Sequence, residues 1–521
     1  MPLSSRTTRI SAALTLAGPE GRVGSSLART AGLRARVRSQ LRRAAFTLRR
    51  YAAKSGGLLG CLAFSAAADI HDVDPLVLAQ EAAAIELADD IFDYAELGYL
   101  ETRSSERLAG HLEEAGFTVR RGVADIPTAF VAESGSGAPV IGVLAEYDAL
   151  PGLSQAPVPA RQPVEAEGSG HACGHHLFGA ASVTAGIALA RWLDQSGSNG
   201  TVRVYGTPAE EGGSGKVYMV RAGLFDDVDT VLHWHPSDRN LAAAESSNGN
   251  KSGRFEFHGV AAHAAVSPHR GRSALDGVEA MNYMVNMMRE HVPSTARLQY
   301  VITDGGDAPN IVPEFAEVYY YVRHPRPDMV EQLFERVVNA ANGAALGTGT
   351  EMRYEVMHGN YPLLPSETLA AVIHEAMVSV GGFEYDEAER EFALALRSTL
   401  FGNLREMDAS AVVAPPGFRQ KMGSTDVGDV SWTVPTAGFT TATWVPGTPA
   451  HSWQATAAGG MSIGHKGMVM AARVLARTGA RLYAEPSLVA SAKVEFNRRR
   501  GPDFEYKPLL GDRSPPLDYR K

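Results

Sequence analysis

Pro139-Val140-Ile141-Gly142-Val143-Leu144-Ala145 is almost wholly apolar and runs straight into Glu146-Tyr147-Asp148-Ala149-Leu150-Pro151. A short continuous apolar run of this kind belongs in a sheet covered on both faces, whereas a strand wet on one side would alternate. It sets an α/β expectation: a mixed sheet flanked by helices. Upstream, the pattern from Asp74 to Phe117 is helical, with Asp74 as cap, Pro75 in the first turn, apolar spacing through Leu87, Ile91, Leu108 and Leu112, and Gly116 as the stop. Short strands are expected at 118–121 and 128–133. Downstream, a loop over 149–172 carries Pro151, Pro157, Pro159 and Pro163, an Ala-rich helix follows from Leu177 to Leu193, and another buried strand runs from Thr201 to Tyr205.

The chemistry-bearing residues cluster around those elements. Gly170-His171-Ala172-Cys173-Gly174-His175-His176 holds a thiol two residues before an imidazole, and Glu210-Glu211 lies just beyond a strand end. A thiolate with imidazoles suits a borderline cation such as zinc or manganese, and adjacent glutamates divide into one ligand and one proton carrier, since neighbouring side chains leave an extended backbone in opposite directions. His235, closing Thr230–His235, and His451 add two imidazoles where strands end. Glu146 and Asp148 share one side of an extended chain and both face the same region, with Asp148 suited to orienting a histidine behind the metal. Gly212-Gly213-Ser214-Gly215-Lys216 fails as a phosphate loop, because Glu210 stands where the first glycine is needed and Val217 follows the lysine.

Size and composition bound the rest. A chain of 521 residues exceeds what one core usually organises, about 250 to 300 residues. An apolar content of 45% with 21% charged residues describes a globular protein, and the apolar runs are too short to span a bilayer. The net charge of −9 argues against a nucleic-acid partner and for a small-molecule substrate. Two cysteines, Cys61 and Cys173, exclude a disulfide framework.

From about Asn248 the character changes: strands at 254–260, 297–303 and 316–322 interleave with helices at 273–290 and 329–344, as in an inserted α+β domain. After Pro365 the chain returns to helices and strands, ending with Thr436–Val445, His451 and a helix over 455–477. The expected layout is a discontinuous catalytic domain, 69–247 with 366–496, an insertion over 248–365, and a loosely ordered tail over 497–521 that carries no chemistry.

Residues 1–60 hold eleven Arg and one Lys against a single acid, Glu20. Arg49-Arg50 ahead of the small, apolar stretch 56–68 matches an export signal with cleavage near Ala68. A lipoprotein signal at Leu58-Leu59-Gly60-Cys61, an organelle transit peptide and a disordered basic extension on a cytoplasmic protein compete with it. The leading expectation is an exported, periplasmic protein.

Taken together, Ile126-Pro127-Thr128-Ala129-Phe130, Glu146–Gln155, His171–His175, Gly206–Lys216, Pro309-Asn310-Ile311-Val312-Pro313 and Tyr320–Pro325 give a chain that resembles the aminoacylase and carboxypeptidase family of dinuclear metallopeptidases, most closely its branch acting on p-aminobenzoyl-glutamate. The likeness spans roughly 75–480. It implies two divalent ions, manganese or zinc, held by Cys173, His175 and His235 on one side and Glu211 and His451 on the other, with Glu210 as general base. It also implies that the insertion is a lid and dimerisation domain, that His263 stabilises the oxyanion, across a homodimer in some arrangements, and that Asn310 and Arg323 hold the substrate's carboxylate. The wider family often has His where Glu146 stands, and Asn or Asp where His176 stands; neither residue is taken as a ligand. The implied reaction is hydrolysis of p-aminobenzoyl-glutamate. Two alternatives stand beside it: a broad N-acyl-amino-acid hydrolase or dipeptidase, and a non-catalytic, substrate-binding chain that supports a related second subunit.

Overall fold

In this computed structural model, which describes residues 70–520, the chain opens on three helices, α1 (Val73–Leu78), α2 (Glu81–Tyr94) and α3 (Thr102–Glu114). The basic segment with Arg49-Arg50, Cys61 and Ala68 lies outside the described residues. The single helical stretch expected over Asp74–Phe117 is thus broken twice. Ala95 ends α2 in a left-handed turn at φ 42°, made by an alanine with no Gly or Pro at that position to announce it. Asp74 sits inside α1 and does not cap it; Arg473 and Arg477 each approach its carboxylate to 2.6 Å.

Strands β1 (Thr118–Arg121), β2 (Phe130–Ser136) and β3 (Val140–Ala145) follow, then the long loop, α4 (His175–Ser196), β4 (Gly200–Gly206), α5 (Gly215–Arg221), β5 (Thr230–Ser237), β6 (Asn240–Ala242) and β7 (Ala244–Ser246). The apolar run that set the α/β expectation is β3, at the middle of the sheet. Its neighbours β4 and β5 run parallel to it. Helix α4 is apolar nearly all round because it is enclosed nearly all round: most of its residues from His175 to Leu193 are buried against β3, β4, β5 and a later helix.

The next stretch is β8 (Gly249–His258), α6 (Ala274–Met288), β9 (Arg297–Asp304), β10 (Phe315–His324), α7 (Pro327–Thr348) and β11 (Glu351–Asn360). These four strands form their own antiparallel sheet in the order β11-β8-β10-β9, with α6 and α7 on one face and a separate apolar core that includes Phe255, Phe257, Val318 and Tyr320. β8 starts five residues earlier than the apolar pattern announces, at Gly249 rather than Arg254, because its first turns of pleat carry Asn250 and Ser252, polar residues that are nonetheless buried.

The chain then continues through α8 (Glu367–Val380), α9 (Glu387–Arg397), β12 (Val413–Ala414), β13 (Phe418–Gln420), α10 (Val427–Ser431), β14 (Thr436–Ala442), α11 (Trp453–Gly459), α12 (Ser462–Ala484) and α13 (Pro486–Arg500). β14 re-enters the first sheet parallel to β5, giving among the described residues the order β1-β2-β4-β3-β5-β14-β6-β12. The helix expected over 455–477 is two, parted at Gly460-Met461.

The tail departs most from expectation. Its Leu509 and Leu510 are buried, Tyr506 donates to Asp429 at 2.7 Å, and Arg513 donates to the carbonyls of Val356 and Met357 at 2.9 and 2.6 Å. Arg498–Arg500 and the Pro515-Pro516 pair suggest disorder, but the apolar residues between them find a core. No helix among the described residues is long and apolar enough to cross a membrane.

Candidate metal centre

The sequence-predicted donors lie beyond the C-terminal ends of the parallel strands, where a doubly covered sheet opens a crevice. Glu146 and Asp148 follow β3, Glu210 and Glu211 follow β4, His235 sits near the end of β5, His451 lies in the loop after β14, and Cys173 precedes α4. Gly174 links Cys173 to His175 at φ 78°, and a Cβ there would meet Pro236 at 2.7 Å; the glycine lets this segment press against the end of β5.

Three overlapping sets of donor atoms result, each with members within 4.8 Å of one another: Cys173, His175 and His235; Cys173, Glu211 and His451; and Glu146, His175 and Glu210. Two of the histidines are aimed by their other side. His175 has Nδ1 2.8 Å from Asp148 Oδ1, which leaves Nε2 facing the cluster. His235 directs Nδ1 to the carbonyl of Pro236 at 2.7 Å and Nε2 to Cys173 Sγ at 3.4 Å. His451 Nε2 lies 3.1 Å from Glu211 Oε1.

His175 Nε2 and Glu146 Oε2 lie 3.2 Å apart, yet these two atoms and Glu211 Oε1 are buried without a well-formed hydrogen bond. Leaving such an atom unsatisfied costs about 1–3 kcal/mol, more for a charged group. A thiolate, imidazole nitrogens and carboxylate oxygens converging on that spot are a donor set that a borderline divalent cation accepts. The residues fit such an ion.

Charge in the centre is tightly packed. Burial, then the neighbouring Glu211, pushes the Cys173 thiol up, and burial followed by the charges of Glu146, Glu211 and Asp426 raises the Glu210 carboxyl. The His235 imidazole is driven down by burial and by His175. The close approach of the Glu211 carboxylate raises the His451 imidazole. A cation would reverse the first of these, since a metal-held cysteine is a thiolate.

Three residues given no role from the sequence complete the surroundings. Lys216 is fully buried, with Nζ 2.8 Å from Glu146 Oε1 and 2.7 Å from Asp426 Oδ1. A lysine alone in the apolar run Val217-Tyr218-Met219-Val220 was the available signal; Asp426, 210 positions away, gave none. Glu101, also buried, accepts from the backbone N–H of Ala209 at 2.8 Å. That alanine has φ 58°, a conformation costing about 1–3 kcal/mol that only over-determined surroundings sustain.

His176 points elsewhere: its Nε2 lies 3.2 Å from the carbonyl of Gly459, and its ring packs against Phe92 and His171. In the second sheet's unit, His263 bridges to Ile311, the N–H of Ala264 donates to the carbonyl of Asn310 at 3.0 Å, and the Arg323 guanidinium sits over the Tyr321 ring. No hydrogen bond or ion pair among the described residues joins His263, Asn310 or Arg323 to the donor cluster.

Comparison with known proteins agrees with this arrangement. The chain is 41% identical over 462 residues to one of the p-aminobenzoyl-glutamate hydrolase subunits of Escherichia coli (strain K12), covering 82% of this chain and 94% of that one. It is 31% identical to the Xaa-Arg dipeptidase of Mus musculus, covering 71% and 78% respectively. The solved structure of a dinuclear metal-binding peptidase from Bacillus subtilis shares the fold at a TM-score of 0.53 and 17% identity, covering 78% of this chain and 99% of that one. The sequence profile described as peptidase family M20/M25/M40 matches residues 142–478, the stretch that carries most of β3 and every donor of the cluster. With profile, fold and donor geometry in agreement, the chain belongs to peptidase family M20/M25/M40 and is a metal-dependent hydrolase.

Proposed function

We propose that this chain hydrolyses the amide of p-aminobenzoyl-glutamate to p-aminobenzoate and glutamate, using two divalent ions, manganese or zinc. The observation that carries the two-ion reading is the sharing of Cys173 between the His175–His235 set and the Glu211–His451 set. One thiolate common to two groups of donors would suit a pair of neighbouring ions. The substrate is supported by the similarity to the E. coli hydrolase.

When bound, the ions supply Lewis acidity that polarises the amide carbonyl and makes water easier to deprotonate. Glu210, whose oxygens share a set with Glu146 and His175, takes a proton from the attacking water and hands it to the glutamate nitrogen as the C–N bond breaks. Asp148 keeps the His175 imidazole in its tautomer. Arg323 and Asn310 hold the substrate's carboxylate, for which a planar guanidinium fork is suited, and His263 donates to the developing oxyanion. Residues 69–247 and 366–496 carry the chemistry, and the unit over 248–365 covers it. That unit pairs with a second copy or with a related chain, the latter raised by the two distinct E. coli hydrolase subunits that both resemble this protein. Residues 1–68 direct export, which a fractionation of expressing cells would test by locating the chain outside the cytoplasm.

The decisive assay compares metal-depleted protein with protein given manganese or zinc, on p-aminobenzoyl-glutamate and on a panel of N-acyl amino acids and dipeptides. Metal-dependent release of glutamate from the aromatic amide alone supports the proposal. Cleavage across the panel supports a second reading, a broad dipeptidase, which the likeness to the Xaa-Arg dipeptidase favours. Absence of any metal-dependent cleavage overturns both.

A further inference from the structure

We propose that residues 503–520 act as a strap that fixes the Glu211 peptide, and that Arg520 is a positioning residue for the metal centre. The strap lies beyond the residues matched by the family profile, which end at 478. It is anchored at successive points. Tyr506 is held by Asp429, the carbonyl of Lys507 accepts from Tyr361 at 3.0 Å, and Leu509 and Leu510 enter two different apolar cores. Arg513 grips β11 through the carbonyls of Val356 and Met357, while Arg221 at the end of α5 donates to the carbonyls of Gly511 and Arg513 at 3.0 and 2.8 Å. The chain then reaches the catalytic loop: Arg520 Nη2 donates to the carbonyl of Glu211 at 2.6 Å, Tyr519 Oη donates to the same oxygen at 3.3 Å, and the Tyr519 ring meets that of Tyr99 edge-on at 5.6 Å.

The loop needs such fixing. Ala209 and Ser214 have φ of 58° and 62°, so two non-glycine residues flanking Glu210-Glu211 sit in the left-handed region. Relaxation of either would swing the carboxylates. On the N-terminal side of Glu211 its own N–H is held by Asp148 Oδ2 at 2.9 Å, and Tyr99 Oη donates to the carbonyl of Gly213 at 2.6 Å. The Glu211–Gly212 peptide is held at its N–H by the carbonyl of Glu210 at 2.7 Å, and at its carbonyl by the strap. A charge-assisted bond from a guanidinium is the strong choice for that position. Glu211 is thereby clamped on both sides, one clamp shared with His175 through Asp148 and the other supplied from the far end of the chain.

This inference rests on reading Glu211 as a metal-holding carboxylate. Its test compares full-length Arg520→Ala, Arg520→Lys and Glu211→Gln with the unaltered protein. Metal affinity is measured on metal-depleted protein by competition with a chelator, thermal stability on the same samples, and kcat and KM on whichever amide the unaltered protein cleaves. Arg520→Ala is expected to weaken metal binding about tenfold or more, as loss of a group supporting a ligand does. It should lower kcat with KM little changed, and leave the melting temperature of the metal-depleted protein in place. Arg520→Lys, which keeps one charged donor, should recover part of the affinity. Metal affinity and kcat within twofold of the unaltered protein in Arg520→Ala overturn the strap, as do losses that follow a fall in stability and are no smaller in Arg520→Lys. If Glu211→Gln itself leaves affinity unchanged, the reading of Glu211 has failed instead, a result distinguishable because it appears without any change at Arg520.

Discussion

Asp148 Oδ1 lies 2.8 Å from Nδ1 of His175, and the other oxygen of the same carboxylate accepts the N–H of Glu211 at 2.9 Å. One buried side chain thus sets the tautomer of an imidazole donor and the backbone of a carboxylate donor. Asp148→Asn keeps the shape and removes the charge that favours Nδ1–H. We expect metal affinity to fall about 10- to 100-fold, read by chelator competition; affinity equal to that of the unaltered protein would remove Asp148 from the account.

Glu210→Gln abolishes proton transfer without removing an atom from the donor sets of Cys173. The expected outcome is a fall in kcat of about 10²- to 10⁴-fold with metal content per chain unchanged. Steady-state kinetics beside metal analysis of the same preparation decides it. Loss of the metal together with the activity would make Glu210 a ligand.

Lys216→Met leaves Glu146 and Asp426 buried without their shared counter-charge. Removing one partner of a buried pair costs about 3–5 kcal/mol. Thermal unfolding should show a large drop, part of which returns when Asp426→Asn is added, because one of the two stranded charges is then gone. A double variant no better than the single one would mean that the ion pair is not what Lys216 contributes.

Asp429 gives a pH dependence away from the metal donors. Burial first of all raises its carboxyl from 3.8 to about 7, although Tyr506 and the N–H of Tyr361 both donate to it. Between those values the unfolded chain gives up the proton and the folded chain keeps it, so stability falls as pH rises through that window and stays lowered above it. Roughly three pH units correspond to on the order of 4 kcal/mol. Asp429→Asn should therefore raise stability at pH 8 and change it little at pH 4, measured by calorimetry; an equal effect at both would sink the assignment.

Much of this was legible in local pattern. The run Val140–Ala145, the enclosed helix after Cys173 and the strand before Glu210 each state their environment in their own residues, and the donors fall at the ends of those elements. What escaped was decided by distant neighbours. Ala95 turns left-handed without a glycine, so the end of α2 has no marker at its own position, and Gly98 comes only three residues later. Asn250 and Ser252 look solvated and are buried by pairing with β10 and β11. The tail reads as loose because its apolar residues Tyr506, Leu509 and Leu510 have no local periodicity, and only the folded chain brings them to Asp429, Tyr361 and the main core.

The second sheet leaves the first through β8, whose second residue is Asn250, and returns through β11, whose last residue is Asn360; these two residues are paired across adjacent antiparallel strands. The detour therefore begins and finishes about 5 Å apart. A tight two-residue turn would be long enough to close that gap, so the excursion could be shortened, lengthened or exchanged without rethreading a strand of the first sheet. On the function proposed above, which gives Asn310 and Arg323 of this excursion the substrate's carboxylate, substrate preference could diversify there while the donors of the first sheet stay as they are.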